Sequence, residues 1–268
     1  MDSVLAAILR RVPLELPGCR NLSHKKTWLA FLKLQRLPVD LKNLASTIRG
    51  VVGDAAYEVR GEKTLELRQR LEFTVNDKGR ASRPEEALER MIVVANRTAA
   101  FNQVPLRGGK ESLDLLLREP GDAAVFIELK PWLSSDTPLV ALVELLKNLE
   151  IYRRIAACGG LGRGLFLNVR LMLLAPRQYY EAHGLVEPGA LSEEMTVPAP
   201  AWRALLCGLG DYFSVGIECA ALDFTATDFE SVCLDLRRGL DAPGKVSADS
   251  GPVIPGLRRD AWRTVAAS

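Results

Sequence analysis

Two acids and a lysine stand in apolar runs that would not ordinarily admit them. Asp114 lies within Ser112-Leu113-Asp114-Leu115-Leu116-Leu117, and fourteen positions after it Glu128 and Lys130 close the run Ala123-Ala124-Val125-Phe126-Ile127-Glu128-Leu129-Lys130. Between the runs, Glu119-Pro120-Gly121-Asp122 is turn chemistry. The flanks are leucine-rich or β-branched, which predicts two strands joined as a hairpin. Side chains alternate along a strand, so Glu128 and Lys130 share one face while Ile127 and Leu129 take the other. In a hairpin Asp114 can reach their neighbourhood. A charge in a core is costly unless it is paired or holds a metal. Mg²⁺ takes oxygen ligands and keeps several waters, so one or two carboxylates suffice for it. Such an ion neutralises phosphate charge and lowers the pKa of an attacking water. A nearby lysine orients or deprotonates that water. These three residues are the minimum set for phosphodiester hydrolysis. The competing reading is a solvated Glu128–Lys130 pair on an edge strand, with Asp114 paired to Lys110 or Arg118.

The neighbouring elements must position that set. Ser82-Arg83-Pro84-Glu85 predicts a helix start, with Ser82 as N-cap and Glu85 closing a capping box. The helix is expected to run to about Arg97, burying Leu88, Met91, Ile92 and Ala95. Beyond Asp136-Thr137-Pro138 a long amphipathic helix is expected over 139–156, and Arg170 to Pro176 reads as a strand. Pro200 to Phe213 reads as helix and Ser214 to Phe224 as strand, while 229–240 is ambiguous. Upstream, residues 2–12 and 24–50 are helical by apolar spacing, with Pro38 as an interruption. Ala56–Arg60 and Thr64–Val75 read as strands around Gly61-Glu62-Lys63, and Asn76-Asp77-Lys78-Gly79 as a turn. The fold class is α/β, a mixed sheet flanked by helices. Its division is an N-terminal helical and β-hairpin region over 1–80, a core over 81–240, and a Gly/Pro/Ser/Ala-rich tail over 241–268, draped on the surface or mobile.

Composition narrows the function classes. With 268 residues, 48% hydrophobic and 25% charged, the chain has the make-up of a soluble globular protein with a sizeable core. A formal charge of +2 gives no global polyanion field. Residues 1–50 nevertheless carry nine Lys and Arg against Asp2, Glu15 and Asp40, a surplus that suits phosphates or simply a solvated helical surface. No apolar run approaches the roughly 20 residues that span a bilayer, and the N-terminus lacks a basic n-region, so a cytoplasmic location is expected. Cys19, Cys158, Cys207, Cys219 and Cys233 form no C-x-x-C pair and read as small buried residues of a reducing compartment. The glycines at 159, 160, 162 and 164 fit neither a dinucleotide fingerprint nor a phosphate loop. His24 and His183, in unremarkable positions, offer no catalytic triad or metal centre. Trp132 reads as a hydrophobic plug rather than a base-stacking residue, and Tyr179-Tyr180 as packing on a sheet end.

Asp114, the triplet Glu128-Leu129-Lys130, a preceding helix opening Pro84-Glu85 and a long helix after them resemble the PD-(D/E)XK nuclease superfamily over about residues 82–176. The resemblance implies a restriction-endonuclease-like core and a Mg²⁺- or Mn²⁺-dependent nuclease acting on nucleic acid, DNA in the first instance. It implies that Asp114 and Glu128 bind the metal, with the Leu129 carbonyl completing the site, and that Lys130 is the catalytic lysine. An acid from the preceding helix joins them, Glu85 by preference and Glu89 in reserve. Ser112-Leu113 departs from the family's Pro. Asn148 and Tyr152 hold the spacing of a Gln-x-x-x-Tyr found in some exonuclease branches, with Asn for Gln. The alternative is a catalytically inactive module of the same fold that binds nucleic acid or a protein partner. Self-association into a homodimer stays open.

Overall fold

Leu115, Leu117, Val125 and Ile127 are buried in one hydrophobic cluster, and Leu116, Ala124 and Phe126 in another. A hairpin buried on both faces must lie inside a sheet covered on both sides. The computed structural model describes residues 3–15, 21–34, 39–54, 67–107, 111–158, 166–187, 200–240 and 243–268. In chain order the elements are α1 (Ser3–Arg11), α2 (Lys25–Leu34), α3 (Leu41–Asp54), β1 (Glu72–Val75), α4 (Pro84–Ala95), β2 (Ala100–Arg107), β3 (Glu111–Glu119) and β4 (Ala123–Leu129). There follow α5 (Pro138–Ala157), β5 (Asn168–Pro176), α6 (Arg177–Ala182), α7 (Pro200–Phe213), β6 (Ile217–Leu222), α8 (Ala226–Arg238), β7 (Gly244–Ser247) and β8 (Arg263–Ala267). The main sheet has the order β2-β3-β4-β5-β6-β8, and β1 pairs with β7 in a separate ribbon. Strands β3 and β4 are antiparallel with Leu115 opposite Ile127, while β4, β5 and β6 run parallel.

The β3–β4 turn places Gly121 at φ 72° and Asp122 at φ 56°, left-handed positions that glycine and aspartate tolerate. The parallel centre reads as a continuous apolar run because both its faces are covered: Leu171 to Ala175 are all buried. Helix α5 starts where Thr137 accepts a hydrogen bond from Val140 N–H with Pro138 in the first turn, and it is buried along almost its whole length. Helices α1, α2, α3, α5 and α7 share one core on one face of the sheet. Helix α4, the β1–β7 ribbon, α8 and Trp262 cover the other.

Several expectations are corrected. Arg83, not Ser82, is the N-cap of α4, and no side chain caps it. Ser82 N–H is committed to Thr74 O next to a Val75–Ala81 bridge, so the helix starts one residue later, and it ends at Ala95. Strand β2 was not expected: Asn102, Gln103 and Pro105 hide its pattern, and its place at the sheet edge is what admits a proline. Of the tail expected over 241–268, the described residues 243–268 are not loose, for β7 zips to β1 and β8 pairs with β6. Trp262 anchors this segment, buried with its indole N–H donated to Leu257 O. The strand expected over 64–75 is confined to Glu72–Val75 within the described part, and 67–71 joins no ladder. Arg177–Ala182 forms a short helix that was not expected, and the ambiguous 229–240 region is α8. Cys158 and Cys207 are exposed rather than buried. The Ala56–Arg60 strand, the Gly61-Glu62-Lys63 turn, Cys19, Lys110 and the Gly159–Gly164 loop lie outside the described residues.

One irregularity positions the site. Leu113 and Leu115 are two residues apart and should share a face, yet Leu113 packs on the α5 side and Leu115 on the α4 side. Across the ladder Ala100 and Val104 are split in the same way. Gln103 stands between them at φ 49°, opposite Asp114 by register. The alternation of both strands thus inverts at the register of Asp114, where Gln103 takes a left-handed backbone.

Candidate metal centre

Beyond the Leu115–Ile127 pair the β3–β4 ladder opens. There Leu129 N–H is donated to Asp114 Oδ2 at 2.9 Å, so the carboxylate fills the mouth of the fork. Lys130 N–H instead goes to Leu174 O of β5. Glu128 and Lys130 share a face as strand parity requires, and Lys130 Nζ meets Glu128 Oε1 at 2.6 Å, both side chains buried. Helix α4 brings Glu85 and Glu89 to the same place, four residues apart on one flank. Carboxylate oxygens of Glu85, Glu89 and Asp114 all lie within 4.8 Å of one another. Both helix acids therefore join Asp114. Gln103 fastens Glu89, its Nε2 lying 2.9 and 2.8 Å from the two carboxylate oxygens.

Electrostatics follow from burial. Burial, then the Asp114 charge, lifts the Glu85 carboxyl to about 7, against the pull of Lys130. Asp114 is pushed up to about 6 by burial, with Lys130 and the Leu129 N–H opposing. Glu89 and Glu128 are raised well above the usual carboxylate range, in each case by burial first and Asp114 second. For Lys130 burial favours the neutral amine, but Glu128, Glu144, Asp114 and Glu85 outweigh it and hold the ammonium well above its ordinary value. Lys130 is thus a fixed cation that can orient a water or offset developing charge, not a base that takes a proton at neutral pH.

Glu128 adjoins the three-carboxylate group without belonging to it. Its oxygen is held by Lys130, and it shares a hydrogen bond with Glu144 of α5. Glu144 Oε2 lies 3.6 Å from Lys130 Nζ, and Asp136 Oδ2 lies 3.7 Å away. Sequence reasoning missed Glu144 and Gln103. Glu144 falls on the buried side of α5 among leucines, a signal of the same kind that singled out Asp114. Gln103 had none, because β2 itself was not expected. Tyr152 is not at the centre: its hydroxyl bonds the backbone of Phe166 and its ring stacks edge-on against Phe126. Trp132 is a plug, packed on Phe229 with its N–H on Phe224 O. The basic helices α1–α3 pack on the α5 side of the sheet, and Arg49 is engaged with Tyr212 O and the Phe213 ring.

The donor set is all oxygen and crowded, with Glu89 buried and Glu85 and Asp114 half-buried. Oxygen donors of this kind suit a hard divalent cation, which would relieve the repulsion that raises these carboxyls. The residues fit such an ion. No protein-family model, curated protein or solved structure matches the chain. No helix among the described residues is long and apolar enough to cross a membrane.

Proposed function

We propose that this protein is a Mg²⁺- or Mn²⁺-dependent nuclease that hydrolyses phosphodiester bonds of DNA. One observation carries the reading: Glu85, Glu89 and Asp114 converge within 4.8 Å beside the buried Lys130–Glu128 pair. The resemblance to the PD-(D/E)XK nucleases supports it, since the acids and the lysine fall between a helix opening at Pro84 and the long α5.

Bound metal would neutralise phosphate charge and acidify a water. Asp114, Glu85 and Glu89 would hold it, with the Leu129 carbonyl as a further donor. The Leu129 amide fixes Asp114, and Gln103 fixes Glu89. Glu128 sets the Lys130 ammonium, which orients the attacking water and offsets charge developing on the phosphate. The half-buried Asp114 and Glu85 are the members a substrate phosphate can approach.

Incubation of supercoiled, linear and single-stranded DNA with Mn²⁺ tests this reading. The wild-type protein is expected to cleave at least one form, and Asp114→Asn and Lys130→Met to lose roughly 10²–10³-fold in rate. Mn²⁺ should raise the Tm of the wild type and of Lys130→Met but not of Asp114→Asn. Absence of cleavage together with a Tm indifferent to Mn²⁺ overturns it. A non-catalytic DNA- or protein-binding module draws support from the direct Lys130–Glu128 ion pair, which gives both charges a structural use. DNA binding without Mn²⁺-dependent cleavage would select that second reading.

A further inference from the structure

Helix α4 has a second charged flank. One residue on from Glu85 and Glu89 stand Glu86 and Arg90, which ion-pair across one turn. This flank borders a groove of about 740 Å³ between the start of α4 and the β1–β7 ribbon. Four cations line it: Arg70, Arg83, Arg90 and Lys245, against the acids Glu72 and Glu86. Lys245 is partly engaged by Glu72 at 3.7 Å, both largely in solvent, and the exposed Arg83 by the half-buried Glu86 at 3.6 Å, contacts that are weak where water screens them. Arg70 is exposed and makes no ion pair among the described residues.

Two features of this groove point to an anion. Arg90 is 95% buried, and its Nε has no hydrogen-bond partner although its terminal nitrogens hold Glu86. A buried guanidinium N–H without an acceptor is costly. The N-terminus of α4, twelve residues long, also opens here without a side-chain cap, flanked by Ser82 and Thr74. Glu86 and Arg90, which line the groove, directly follow the cluster acids Glu85 and Glu89 along α4, so the groove abuts the acidic cluster.

We propose that this groove seats backbone phosphates of the nucleic-acid strand whose neighbouring phosphodiester reaches Asp114. The inference rests on the nuclease reading for its ligand and extends it by the path of the substrate. Arg70 and Arg83 meet the strand from the solvent side, and the α4 N-terminus and Arg90 meet it from below. The cations of α1–α3, on the opposite face of the sheet, take no part.

Fluorescence anisotropy of a short fluorescein-labelled single-stranded oligodeoxynucleotide, in EDTA so that nothing is cut, tests it. Arg70→Ala/Arg83→Ala is expected to bind about tenfold more weakly, with unchanged Tm. The slope of log K against log salt should flatten by about 1.4, since each phosphate contact in a single strand contributes about 0.7. Arg10→Ala/Lys42→Ala, which removes equal charge from the opposite face, should bind as the wild type does. Equal loss from both pairs, no loss from the first, or no binding by the wild-type protein overturns the groove. Binding with that pattern but no Mn²⁺-dependent cleavage leaves the groove standing and sinks the nuclease reading instead. Cleavage with the groove variant binding normally does the reverse.

Discussion

Charge is buried on both flanks of the β3–β4 fork, and the two flanks accommodate it differently. On the α5 side, signs alternate. Glu111 holds Lys147 at 2.9 Å, Lys147 lies 3.9 Å from Glu144, Glu144 lies 3.6 Å from Lys130, and Lys130 bonds Glu128 at 2.6 Å. On the α4 side three carboxylates crowd within 4.8 Å, and no ion pair among the described residues reaches any of them. Burial alone therefore does not separate architecture from a site here, since each flank holds a deeply buried carboxylate. The sequence of signs does. An alternating chain satisfies itself, whereas three like charges leave room for a cation from outside.

The largest effect should come from breaking the closed chain. Lys147→Met keeps the aliphatic stem and leaves Glu111 buried without its ammonium, which costs about 3–5 kcal/mol. For a protein of this size that corresponds to a fall in Tm of roughly 6–20 °C. On the other flank Glu85→Gln, measured in EDTA, should move Tm upward, because it removes one of the repelling charges. Opposite signs for the two variants sharpen the contrast. A harmless Lys147→Met would show that the α5 chain is no more closed than its neighbour.

Next in size is a dependence on pH. Asp114 and Glu85 titrate near 4 in the unfolded chain but near 6 and 7 in the folded protein. Between those values the folded state retains protons that the unfolded state has lost, so stability must fall as pH rises from about 4 to about 7. At about 1.4 kcal/mol per pH unit the two shifts amount to a few kcal/mol once their mutual repulsion is counted a single time, and urea unfolding at several pH values in EDTA measures the loss. Asp114→Asn/Glu85→Gln should flatten the profile by that amount, and saturating Mn²⁺ should reverse it, since the metal binds the ionised acids. An unchanged profile in the double variant would mean that the crowding is already relieved inside the protein.

How much of this was legible in the residues themselves depends on what each signal measures. Asp114, Glu128 and Lys130 stood out because an acid among leucines breaks a pattern, and strand parity placed Glu128 beside Lys130. The α/β class and the elements α5, β5, α7 and β6 followed from long, regular apolar spacing. Parity alone could not show that the strand pair inverts at Gln103, so the partner acids of Asp114 were not decidable. Both Glu85 and Glu89 reach it, and Glu128 turns toward α5. The capping box at Ser82–Glu85 satisfied a local rule that a tertiary bond overrode, when Ser82 N–H went to Thr74 O. The last 28 residues looked like a tail because Gly, Pro and Ser are poor in sheets. Yet four residues of β7 and five of β8 found strands waiting for them.

The smallest effect should probe the residue at the inversion itself. Gln103 is uncharged, yet its amide spans both oxygens of Glu89 and its backbone turns the strand. Gln103→Ala removes the amide and should weaken Mn²⁺ about tenfold, about 1.4 kcal/mol, as the loss of a partner behind a metal ligand does. Isothermal titration with Mn²⁺ reads this directly. Gln103→Gly also removes the amide but accepts φ 49° without the cost of roughly 1 kcal/mol that a Cβ carries there. It should unfold at a higher temperature than the alanine variant while binding Mn²⁺ just as weakly. Should glycine restore the affinity that alanine loses, the bent backbone would be what holds the three carboxylates together, and the hydrogen bond to Glu89 only an accompaniment.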